Sequence, residues 1–98
     1  MSFEALVADV VASLPDEVKT SLDRRGIAVV VEEAPDPPRP GFWGGYWKPH
    51  RMIVVYERPI TTDGARPPGI PEPEVRARIL TTVWAGIREA TIGRLRVG

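Results

Sequence analysis

Residues 51–58, Arg-Met-Ile-Val-Val-Tyr-Glu-Arg, constrain the fold more than any other stretch of this chain. In an extended backbone Met52, Val54 and Tyr56 point one way and Ile53 and Val55 the other. Both faces are therefore apolar, which places the strand in the interior of a sheet. Pro59 is expected to end it. A second strand is predicted over Ile27–Glu33, where Ile27, Val29, Val30 and Val31 are β-branched and apolar.

Helices flank these strands in the sequence. Residues 2–13 carry Phe3, Leu6, Val7, Val10 and Val11 at three- and four-residue spacing, with Leu14 following. Ser2 suits the N-cap, and Glu4 suits the positive first turn. Pro15 stops this helix and fits the first position of a short second one, which runs through Val18 and Leu22 to a left-handed cap at Gly26. The strongest helical pattern spans 73–92. Val75, Ile79, Val83, Ile87 and Thr91 recur every four residues, and Leu80 and Trp84 widen the stripe. Gly93 is expected to end it. Gly86, in its middle, costs about 1 kcal/mol relative to Ala and points to close backbone packing against a sheet. Arg76, Arg78 and Arg88 are expected on a solvated face.

Two segments break the pattern. Residues 35–49 hold five prolines, three glycines and the aromatic run Phe42, Trp43, Tyr46 and Trp47. Proline removes ladder donors, so a loop or an irregular edge strand is expected there. Residues 61–71 form a second Pro/Gly-rich loop, with Asp63-Gly64 as a turn signal.

Ninety-eight residues make a single domain, 1–98, and 43% hydrophobic with 27% charged residues fits a globular protein. No apolar run approaches the roughly 20 residues that span a bilayer, so no membrane role is expected. Glu4 and Asp9, without a basic leader, argue against a signal peptide. The chain has no cysteine, which is compatible with the cytoplasm, the expected location. Net charge is zero, yet residues 1–40 carry −4 and residues 41–98 carry +4. This is read as a dipolar domain whose ends attract each other or a second copy. It is not read as a nucleic-acid surface, because no nucleic-acid motif is present. With one histidine, His50, and no thiol, the common zinc donor sets are missing, and neither a metal nor another cofactor is expected.

The order of helices, strands and aromatic-Gly loop resembles a family of small bacterial zincin-like metallopeptidases, the minigluzincins. Gly41-Phe42-Trp43-Gly44-Gly45 is similar to the family's G-L-Y-x-G segment. The stretch from Pro49 to Ile60 is similar to its P-D-R-I-x-x-Y-R-x-P-[IL] strand, and Thr82-Val83 to the approach to its active-site helix. In the family, Thr-Val leads into H-E-x-x-H, two zinc-binding histidines and a general base. Here Ala85 stands for the first ligand, Gly86 for the base and Glu89 for the second ligand, and the downstream acidic ligand has no counterpart. The resemblance implies an α+β, zincin-like minimal fold, a small sheet packed against the active-site-type helix and the N-terminal helices. It argues against the activity, and no catalytic or metal-binding residue is assigned.

Three candidates follow. Glu89 is expected to be a solvated or ion-paired helix residue, and His50 a surface residue at the head of a strand. Phe42, Trp43, Tyr46 and Trp47 are either rings that cap a small core or a binding surface for a peptide or protein partner, on an edge where an extended segment adds as a strand. The expected function is a metal-free, catalytically inactive zincin relative acting as a peptide-binding or protein-interaction module. Two alternatives stay open: a hydrolase with an atypical carboxylate metal site, and a structural homo-oligomerisation domain with the aromatic loop at a homodimer contact.

Overall fold

A computed structural model describes residues 1–65 and 69–95, the last four as backbone alone. The 66–68 part of the second loop and the chain end at 96–98 lie outside the described residues. Helix α1 (Phe3–Ala12) starts at Ser2, whose hydroxyl accepts from the Ala5 N–H. Phe3, Leu6, Val7 and Val10 are its buried stripe. Helix α2 (Asp16–Arg25) follows Pro15, which sits one position earlier than expected, as the N-cap. Gly26 closes α2 at φ +67°, the left-handed conformation that favours glycine.

Strand β1 (Ala28–Glu32) leads into the proline-rich segment, from which β2 (Gly44–Trp47) emerges as the expected edge strand. A 3-10 turn over Lys48–His50 connects it to β3 (Met52–Tyr56). The sheet has the order β1-β3-β2, so the strand with two apolar faces is central. β1 runs parallel to β3, with Val30 opposite Val54, and β2 runs antiparallel to it, with Gly45 opposite Val54. The fold is α+β.

Three expectations need correction. Pro59 is not what ends the strand: β3 stops at Tyr56 and passes directly into helix α3 (Glu57–Thr62), which takes Glu57 and Arg58 from the expected strand and Thr61 and Thr62 from the expected loop, with Pro59 and Ile60 buried. Proline in a first turn gives up no helical hydrogen bond, which is why this segment is helical despite its sequence. Helix α4 (Glu72–Leu95) runs past Gly93. Leu80 does not widen the buried stripe; it is 40% exposed.

Val75, Ile79 and Val83 of α4 meet Ile53, Val55, Ile60 and the α1 stripe in one core. The helix approaches the sheet closely at two glycines. A Cβ on Gly86 would stand 2.7 Å from Ile53 Cγ2, and one on Gly44 would stand 2.0 Å from the Val54 carbonyl oxygen and 2.8 Å from Thr82 Cγ2. All three distances are below van der Waals contact, so side chains larger than hydrogen at 44 and 86 are incompatible with this packing. Gly86 has the packing role expected of it.

Candidate functional site

Helix α4 lies against β2, so the tertiary structure brings the 85–89 turn and the aromatic segment together. Their relation is set by main-chain geometry. Tyr56 N–H donates to the Trp43 carbonyl, so alternation along the antiparallel ladder aims the Tyr46 N–H away from β3, toward open space. The Glu89 carboxylate accepts from that N–H at 3.4 Å, and one of its oxygens stands 3.3 Å from the position of a Cβ on Gly45. Glu89 is exposed, and it caps a strand edge instead of pairing with Arg88. Gly45 is what lets the carboxylate lie so close.

The four aromatic residues do not form one surface. Trp43 and Tyr46 are half-buried and pack against the core. The Trp43 indole N–H donates to Asp63 Oδ2 at 3.3 Å, and the Arg78 guanidinium lies 4.9 Å from its ring centroid. Phe42 tilts against Tyr56 at 5.7 Å between centroids, with the Arg39 guanidinium 4.3 Å from its centre. Trp47 is 50% exposed and stacks with the His50 ring at 6.2 Å. His50 is exposed on the 3-10 turn, as expected of a residue just before the strand.

Between the 35–39 segment, β2 and Glu89 lies a groove of about 340 Å³. Phe42, Tyr46, Trp47 and Tyr56 line it, with Arg39 and Asp36 at its polar margin. Its floor includes Gly45 and Val54. The space that the sequence leaves empty at Gly86 belongs to Ile53, and the half-buried Ala85 is not part of the lining.

Positions 85, 86 and 89, which the resemblance sets against the zinc motif, do not fit a zinc ion. Ala85 has no donor atom, and a glutamate at 86 has no room beside Ile53. Glu89 is engaged with the edge of β2. Among the described residues no group of three or more His, Asp or Glu side chains converges as a metal site.

Arg78 was expected on a solvated face. It is largely buried, and its guanidinium donates to the carbonyls of Ile60 (2.9 Å) and Asp63 (2.8 Å) and to Glu74 Oε2 (3.0 Å). This clamp fixes the end of α3 beneath the Trp43 ring. The only trace of it in the sequence is the Glu74–Arg78 spacing of four residues. Arg76 likewise leaves the solvated face to bridge Asp9 and Glu72. No protein-family model matches the chain, and no curated protein matches it. Among the described residues no helix is long and apolar enough to cross a membrane.

Proposed function

We propose that this protein is a non-hydrolytic relative of the zincin-like peptidases that binds an extended peptide segment of a partner protein, in the groove between the proline-rich segment and β2. The reading rests on one observation above others. At the strand edge beside the helix, where a zincin carries its metal and base, this chain presents a carboxylate held by a main-chain amide, next to a groove rimmed by aromatic rings. Apolar walls with a few polar groups at the margin are the usual make-up of a ligand groove. The outward main-chain groups of Gly44 and Tyr46 offer a peptide the hydrogen bonds of an added strand once Glu89 swings aside. The cytoplasm is the setting proposed with this role, on the strength of the cysteine-free composition.

Selection from a random-peptide display library tests the reading. Enriched peptides should be apolar, bind with micromolar Kd, and lose about tenfold or more in affinity on Phe42→Ala or Trp47→Ala, an aromatic contact of this kind contributing roughly 1–2 kcal/mol. Stoichiometric zinc in the purified protein, by atomic absorption, sinks the non-hydrolytic part of the proposal. A second reading, self-association through the aromatic loop, draws on the exposure of Trp47. Loss of a dimer on Trp47→Ala would favour it over peptide binding.

A further inference from the structure

The order β1-β3-β2 leaves two sheet edges, and the chain treats them differently. At β2 the outward Tyr46 N–H is met by Glu89. Among the described residues β1 has no such cover. Ala28 N–H donates to the Arg51 carbonyl, so alternation along the strand aims the main-chain groups of Ala28, Val30 and Glu32 at β3 and those of Val29 and Val31 outward. Among the described residues no other element hydrogen-bonds to these outward groups. Val29, Val30 and Val31 are half-exposed and line a groove of about 760 Å³, together with Val7, Val11 and Leu22. A β-branched edge left open in this way is a template for another strand.

The charges around β1 say which strand fits. At its start stand Arg24 and Arg25, in the last turn of α2, with Lys19 and Asp23 of the same helix on the groove wall, and Arg51, bonded to Ala28 through its carbonyl. At its end stand Glu32 and, on the same surface, Glu4 and Glu57. Glu33 pairs with Arg58, whereas among the described residues neither Glu32 nor Arg24 has an ionic partner. The strand is thus complementary to its own reverse.

We infer that β1 is the contact of a homodimer, in which two copies pair antiparallel about a two-fold axis through Val30. In this register Val29 faces the second copy's Val31, and every outward N–H and carbonyl of both residues finds a partner. Ala28 faces the second copy's Glu32, which brings the arginine-bearing end of each strand to the acidic end of the other, twice by symmetry. A register centred on Glu32 sets like charges face to face, and a parallel arrangement leaves the two acidic ends together. The two sheets become one, with both α1 helices on the same face. There the exposed Ala5, Ala8 and Ala12 allow a close approach. The contact is at the opposite edge from the β2 groove, so a dimer presents both grooves at its far ends.

Sedimentation equilibrium of the full chain, from low micromolar to millimolar concentration, should show the mass rising to twice the monomer value. Hydrogen exchange at the Val29 and Val31 amides should slow with concentration, while Ala28 and Val30 stay protected throughout. Arg24→Glu and Glu32→Lys should each weaken the dimer about tenfold, and the pair together should restore it to within about threefold of the original, as expected for two symmetric charge contacts. Val31→Pro removes an outward donor without touching the β1–β3 ladder and should abolish the dimer. Should that variant fail to fold, the charge pair decides. A chain that is monomeric at every concentration overturns the inference. So does a dimer indifferent to both charge reversals, or one lost on Trp47→Ala while Glu32→Lys leaves it intact.

Discussion

Gly86 and Glu89 show how much one side chain decides in this molecule. Gly86 is a missing general base by resemblance, but in the structure it is the point where α4 rests on Ile53. Gly86→Ala should lower stability by roughly 1–2 kcal/mol, the overpacking cost exceeding alanine's helix preference of about 1 kcal/mol. Urea denaturation measures it. In a double-mutant cycle with Ile53→Ala, which removes the colliding atoms, the losses should add to less than their sum. Gly86→Glu, the substitution that would recreate the family's base, should leave no cooperative unfolding transition at all. At Gly44 the tight neighbour is backbone, the Val54 carbonyl, and φ is +147°. No side chain can yield there, so Gly44→Ala should cost more than Gly86→Ala.

At the scale of elements, α4 organises the rest. Its Val75–Ile79–Val83 stripe seals the core, its Thr82–Gly86–Glu89 line follows the sheet, and Arg78 ties it to α3 and to the Trp43 ring. Arg78→Met keeps much of the apolar stem but leaves the Ile60 and Asp63 carbonyls without a donor. It should destabilise by about 2–3 kcal/mol, the range for hydrogen bonds to a charged group, read as a lower urea midpoint together with a change in tryptophan fluorescence. Glu89→Ala touches only an exposed edge. It should leave stability within about 0.5 kcal/mol of the original, yet speed hydrogen exchange at the Tyr46 amide. If Glu89 gates the β2 edge, the same variant should bind selected peptides more tightly.

Across the whole molecule the uneven charge of the sequence is used internally. Arg58 pairs with Glu33, and Arg76 with Asp9, each joining the basic later part of the chain to the acidic earlier part. The hydrogen bond to Asp9 is the main influence holding the Arg76 guanidinium above its ordinary pKa; burial opposes it, and Glu72 adds to it. A raised pKa stabilises the fold below the unfolded-state value, and the contribution is lost only as pH climbs through the folded-state value. Both lie far above neutrality. Arg76→Gln should therefore lower the urea midpoint by the same amount at about pH 6 and about pH 9. A difference between the two would mean that another titrating group shares the bridge.

The elements themselves were legible in the residues. The two-faced apolar strand became central, Gly26 closed α2, Ser2 capped α1, and the four-residue recurrence became α4. These follow from local rules, the period of the backbone and the conformational limits of proline and glycine. The site was legible only as two separate groups of residues, and several assignments made along one dimension changed. The aromatic run divided between core and surface, because strand alternation and an Asp63–Arg78 frame sort its rings. Arg76 and Arg78 became structural ties, and α3 formed around Pro59. Glu89 found its partner 43 residues away, on a strand edge. The sequence alone determined the segments that become α1, α2, β1, β3 and α4, since these are written in spacing a few residues long. Only the tertiary structure decided which amide a carboxylate caps, which glycine a neighbour fills and which edge stays open, because each depends on segments distant in the chain arriving within van der Waals contact.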